Sequence, residues 1–151
     1  MNRSLYVIKP EAMLVRDRIR NLIFRAGLKI LRTAELVVPG TMLDLLYTDL
    51  TSDLRTATQM FMGRAACEIG EVEGEDAVNR LLVVCGHFTD PSKCDAQSIR
   101  GLFGIRQAER VGSAVYFKNA IHRPKTHAEA KRDLLLFLPL LTQTGDSFGA
   151  P

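Results

Sequence analysis

Long apolar stretches are missing from this 151-residue sequence. The longest, Leu134 to Leu141, is interrupted by Pro139 and falls far short of the roughly 20 residues that a membrane-spanning helix needs. The N-terminus reaches Lys9 before an apolar signal region can form, so no export signal is expected. Cysteine is sparse. Cys67, Cys85 and Cys94 are odd in number and lack the close CxxC spacing of redox or zinc sites, which points to reduced thiols in a cytoplasmic protein. The net charge is only +3, too little to require a nucleic-acid or membrane partner. No internal repeat is present. No glycine-rich turn follows the first apolar run either, which excludes a Rossmann-type dinucleotide site.

What is present suits one compact domain, since 46% apolar residues suffice for a core. Residues 1–140 are expected to form it, with 141–151 as a flexible C-terminal tail rich in Gly and Ser. Charge is distributed locally. Eight Lys or Arg up to Arg32 stand against Glu11 and Asp17, whereas Glu68, Glu71, Glu73, Glu75 and Asp76 form an acidic run that reads as solvated surface.

Leu5 to Ile8 is a short run of strand formers ended by Lys9-Pro10. Val15, Ile19, Leu22, Ile23 and Ala26 recur at helical spacing, and Gly27 supplies the stop. Leu28 to Val38 reads as a second strand, followed by a helix capped at Thr41 and running through Leu50, and another capped at Thr51 or Ser52 and running to Met62. A third strand over Ala65 to Val72 precedes a helix over Asp76 to Val84, whose acidic start suits the helix dipole. Gly86 to Gln97 is an exposed loop, Ser98 to Phe103 a short helix, Ser113 to Phe117 the fourth strand, and Glu129 to Leu138 the last helix. This order fits an α+β, ferredoxin-like sandwich: a four-stranded antiparallel sheet with helices packed on one face.

His122 lies just beyond the fourth strand, among polar groups. A neutral imidazole held through one nitrogen is a competent phosphoryl acceptor. Lys9, Thr89 and Arg100, at strand edges or in loops, are suited to holding phosphate. His87 and His127 have no evident partner and are assigned structural roles.

Four segments carry a family resemblance. Val7-Ile8-Lys9-Pro10-Glu11, Tyr47-Thr48-Asp49-Leu50, Ser98-Ile99-Arg100-Gly101 and Asn119-Ala120-Ile121-His122 resemble, in order and spacing, the motifs of nucleoside diphosphate kinases across residues 4–138. The resemblance implies a ferredoxin-like fold and ping-pong transfer of a γ-phosphate between nucleoside tri- and diphosphates, with His122 as phosphate carrier. Lys9 and Asn119 would bind the sugar hydroxyl and phosphates, Tyr47 would hold Lys9 and the histidine environment, and Thr89 and Arg100 would grip phosphate. Asp133 stands where the family has a histidine-orienting glutamate one methylene longer. Mg²⁺ would arrive on the nucleotide, with no protein-held metal. A cytoplasmic homo-oligomer needing neither nucleic acid nor membrane is implied.

The chain also departs from that pattern. Arg123-Pro124 replaces the Gly-Ser that follows the histidine, removing a hydroxyl and a backbone donor. Leu82 or Val83 stands where a phosphate-binding arginine is usual. Arg55 substitutes for the base-stacking phenylalanine, while Phe61 is assigned to the core. These losses leave a second reading open: an impaired kinase-like module for protein association or nucleotide sensing.

Overall fold

The computed structural model describes residues 2–144. The first half contains β1 (Arg3–Ile8), α1 (Arg16–Arg25), β2 (Lys29–Leu36), α2 (Gly40–Leu46), α3 (Ser52–Met62) and β3 (Cys67–Glu73). The second contains α4 (Ala77–Cys85), α5 (Ile99–Phe103), β4 (Glu109–Val111), β5 (Ala114–Tyr116), β6 (Ile121–His122) and α6 (His127–Thr144). The main sheet is four-stranded and antiparallel throughout, in the order β2-β3-β1-β6. This is the ferredoxin-like α+β arrangement.

Alternation along β1 separates two cores, because successive side chains leave opposite faces of a strand. Tyr6 and Ile8 join Ile19 and Ile23 of α1 and Ala77 and Leu81 of α4. Leu5 and Val7 join Leu43 and Leu46 of α2, Met62 of α3, and Leu134, Phe137 and Leu141 of α6. Helices therefore cover both faces rather than one. Gly70 is required where it stands: it pairs with Tyr6 across β1 and β3, and a Cβ there would lie 2.2 Å from the ring. Gly27, at φ +87°, closes α1 in the left-handed conformation that glycine tolerates.

Three expectations need correction. The segment Ser113 to Phe117 does not supply the fourth sheet strand; β5 forms a separate hairpin with β4, and the two-residue β6 pairs with β1 instead. A strand of that length has no alternation to detect. The last helix runs past Leu138 to Thr144 with Pro139 inside it, because the stripe of Leu134, Phe137 and Leu141 continues to bury beyond the proline. Residues 141–144, expected in the tail, belong to this helix, and residues 145–151 lie outside the described residues.

The acidic run is the third. Glu68 and Glu71 are each only 1% exposed. Glu68 accepts a 2.7 Å hydrogen bond from the Tyr6 hydroxyl and pairs with Arg20 of α1. Glu71 faces Arg32 directly across the β2–β3 pair, at 2.7 Å, and takes Arg3 at 3.3 Å. Three of the basic residues near the N-terminus thus neutralise two carboxylates buried in the sheet. Smaller shifts affect α2, which starts at Gly40 and stops at Leu46, and α4, whose first turn carries no acid because Asp76 is its N-cap. Among the described residues no helix is long and apolar enough to cross a membrane.

Candidate active site

The site lies at the end of β1, where β6 begins. The chain reaches β6 through a tight turn: Ile121 N–H donates to the Asn119 carbonyl at 3.0 Å, with Ala120 at φ +77°. A positive-φ γ-turn at a residue with a Cβ is strained, on the order of 1–3 kcal/mol. It persists because it is pinned. The Ala120 N–H donates to Glu11 Oε2 at 3.0 Å, and its carbonyl accepts from the Lys9 N–H at 2.8 Å. The turn places Asn119, His122 and Lys9 around one point.

His122 pairs with Val7 in the sheet and is 8% exposed. Its Nε2 lies 3.0 Å from Asp133 Oδ2, so Nε2–H donates to the carboxylate and Nδ1 keeps its lone pair. Nδ1 has no protein partner among the described residues. Asp133 is fully buried, and its other oxygen accepts from Arg132 Nε at 3.1 Å and Nη2 at 3.0 Å; Nη2 also donates to the Leu46 carbonyl at 3.0 Å. The shorter acid therefore reaches the ring and is braced from behind. Burial holds the His122 pKa below its ordinary value against the opposing pull of Asp133, which keeps the imidazole neutral.

Lys9 is 4% exposed, and its Nζ donates to the Tyr116 hydroxyl at 3.2 Å. Burial lowers its pKa to about 8; Glu11 opposes the shift, while Arg100 and Arg123 add to it. Arg100 projects from α5, which Ser98 caps by accepting from the Gly101 N–H at 3.1 Å. Its guanidinium is anchored on two backbone carbonyls, Ile121 through Nε and Nη2 and Phe88 through Nη1. Asn119 Nδ2 donates to the Thr89 carbonyl at 3.0 Å, and the buried Asn119 Oδ1 has no partner among the described residues.

Lys9, Tyr47, Thr89, Arg100, Asn119 and His122 line one cleft of about 350 Å³. Asp133 lies behind its wall. Three expectations fail here. Tyr47 does not hold Lys9: its hydroxyl contacts Met62 Sδ at 3.5 Å, and its ring meets His122 edge-on at 5.0 Å. Arg55 does not reach the cleft, because Asp44 holds it on the exposed side of α3 with bonds of 2.8 and 2.6 Å; Leu54 lines the cleft in its place. Phe61 is only half-buried and stacks on Tyr116 at 5.3 Å instead of joining the core.

Tyr116, Arg132 and Lys125 also line the cleft and were not singled out from sequence. Arg132 directly precedes Asp133, which was the available signal. Arg123 lines the cleft too, 3% exposed. A larger, more open depression of about 590 Å³ beside α4, containing Arg80, His87 and Asp95, gathers no comparable cation set. No group of three or more His, Cys, Asp or Glu among the described residues is placed to hold a metal.

An antiparallel ferredoxin-like sheet with a cationic cleft at the end of its central strand defines the class. The family model for nucleoside diphosphate kinase matches residues 2–141, and the chain belongs to that family. No curated protein sequence matches significantly. Among solved structures, the fold is similar to the nucleoside diphosphate kinase of Encephalitozoon cuniculi, with TM-score 0.77, 22% identity and coverage of 91% of this chain and 89% of that one. The Aquifex aeolicus enzyme gives 0.74 at 23% identity, covering 90% and 94%. The Borrelia burgdorferi enzyme, solved with bound vanadate and ADP, gives 0.73 at 20%, covering 89% and 85%. At such identities the structural likeness shows the fold, and the chemistry must come from the cleft itself.

Proposed function

We propose that the chain is an active nucleoside diphosphate kinase working through a phosphohistidine at His122. The observation that carries this reading is the fixed, neutral imidazole: Nε2 is tied to Asp133 at 3.0 Å, and the cleft-lining ring keeps Nδ1 as its unpartnered nitrogen. In the first half-reaction the Nδ1 lone pair attacks the γ-phosphorus of a nucleoside triphosphate. The bond from that phosphorus to the β-phosphate oxygen breaks, and the diphosphate leaves with the bonding electrons. In the second, a terminal oxygen of an acceptor diphosphate attacks the phosphorus, and the P–N bond breaks to return the neutral imidazole.

Little covalent work falls to the protein beyond the nucleophile, so positioning and charge dominate. Lys9 and Arg100 face the transferring phosphate, Asn119 offers its unpartnered Oδ1 to the sugar hydroxyl, and Thr89 lies at the loop edge of the phosphate path. Asp133, braced by Arg132, stabilises the positive charge that develops on the ring as the P–N bond forms. Magnesium enters on the nucleotide. A cytoplasmic homo-oligomer, the usual state of the family, belongs to the same reading.

The test is incubation with Mg²⁺ and γ-labelled ATP, followed by a search for acid-labile protein label. Label that appears in the native protein and disappears in His122→Ala supports the kinase. Nucleotide binding without label favours the sensing module, the reading that the Arg123-Pro124 replacement keeps alive.

A further inference from the structure

We propose that Arg123 is a phosphate-holding residue of this cleft, presenting its free guanidinium nitrogen to the phosphate chain of the bound nucleotide. The inference rests on the nucleotide reading above and adds to it a residue that the family pattern does not supply.

Arg123 donates through Nε at 3.2 Å and Nη2 at 2.7 Å, both to a single acceptor, the Gly86 carbonyl at the end of α4. Nη1 has no hydrogen-bond partner among the described residues, and the side chain lines the cleft. A guanidinium has five N–H donors, so one carbonyl leaves most of its capacity unused. No carboxylate forms a salt bridge with it among the described residues. Burying such a group without an anion is unfavourable, and here Arg100 repels it further. An anion entering the cleft removes both penalties at once.

The backbone supports this placement. A residue before proline is confined to extended conformations, and Pro124 is itself buried, so the stem of Arg123 leaves the end of β6 in a fixed direction. The head of the side chain comes to rest at the end of α4, the helix in which Leu82 and Val83 contribute no charge. The cation missing from the last turn of α4 is therefore delivered to that end from the residue next to the histidine. A purely structural role, holding the carbonyl of Gly86 that caps α4, uses the same two bonds and leaves Nη1 without a purpose.

Arg123→Gln separates the two roles, because the amide can still donate to the Gly86 carbonyl but carries no charge. Binding of adenosine, of ADP with Mg²⁺ and of inorganic triphosphate is measured for the native protein, Arg123→Gln and Arg123→Lys. The expected result is a loss of about ten-fold or more for ADP and triphosphate in Arg123→Gln, partial recovery in Arg123→Lys, and unchanged adenosine binding. Equal loss for all three ligands, or no loss for any, overturns the proposal and leaves Arg123 a helix cap. If the native protein binds triphosphate but no nucleotide, the kinase reading fails while triphosphate still tests Arg123. Failure of the native protein to bind triphosphate overturns the proposal as well.

Discussion

Two groups of buried charge meet at β1, one within the sheet and one at its end, and they are treated in opposite ways. Within the sheet, Glu68 and Glu71 are neutralised by Arg20, Arg32 and Arg3, so that each buried carboxylate meets at least one guanidinium. In the cleft, Lys9, Arg100 and Arg123 are equally buried, at 4%, 5% and 3% exposure. None of them makes a salt bridge among the described residues; they rest on carbonyls and one tyrosine hydroxyl. Glu11 attracts Lys9 through space, but its Oε2 is committed to the Ala120 N–H. The first group is complete when the chain folds. The second is left without paired carboxylates, which is what the proposed phosphate site needs.

The largest effect should come from breaking the completed group. Glu68→Ala leaves the Tyr6 hydroxyl and Arg20 without their shared acceptor, and urea denaturation should show a loss of about 3–5 kcal/mol. Folded Glu68→Ala protein should bind nucleotide as the native protein does. A loss below about 1 kcal/mol would mean that the two groups do not differ as described.

Removing a cleft cation should do the reverse. Lys9→Met is expected to be at least as stable as the native chain, because the cation it removes is held in the fold against its own hydration. Its nucleotide affinity should fall about 10- to 100-fold. The sign with pH follows from the Lys9 pKa, about 8 in the fold against an ordinary 10.5. Charging Lys9 disfavours the folded state, on the order of 3 kcal/mol, in full below about pH 8. The penalty fades as pH rises toward 10.5, so the ligand-free native protein gains stability over that range relative to Lys9→Met. Nucleotide affinity should fall over the same rise, as Lys9 loses its proton. A flat binding profile in the native protein between pH 7 and about 10 would remove Lys9 from the phosphate site.

The smallest effect sharpens the comparison at its boundary, where Asp133 serves the imidazole and Arg132 rather than Lys9, Arg100 or Arg123. Asp133→Asn should slow labelling by Mg²⁺ and γ-labelled ATP about ten-fold. The acid limb of the pH profile should also move lower, because Asp133 is what raises a histidine pKa that burial depresses. An unchanged limb would detach the carboxylate from the histidine's titration.

The legible parts of the fold were those with a period or a stop signal. The stripe of Ile19 and Ile23 ended by Gly27, the cap at Thr51 or Ser52 and the short helix opening at Ser98 each carry their physics within a few residues. The two-residue β6 does not, since its position depends on the hydrogen bonds that Ala120 makes with Lys9 and Glu11, more than a hundred positions away. The burial of Glu68 was hidden for a similar reason: alternation read along β3 cannot reveal that Arg20 of α1 lies across it. In the cleft, motif order located Lys9, Arg100, Asn119 and His122, because each sits at an element end that local sequence marks. Tyr116 as the partner of Lys9, and Arg132 as the brace on Asp133, depend on how separate elements pack. Arg55 was misplaced by one helical position, enough to turn a side chain from the cleft to solvent.

The position of β1 in the sheet also bears on how the chain emerges during synthesis. β1 is made first, yet it is a central strand whose neighbours are β3 and β6, and Val7 meets its β6 partner only at His122. At about 5–20 residues per second, that edge at Val7 and Ile8 remains uncovered for on the order of ten seconds. An apolar edge left open is the kind of surface on which chains aggregate. The segment that covers Val7 and Ile8 is the one carrying His122, so this edge closes and the cleft gains its histidine in a single event.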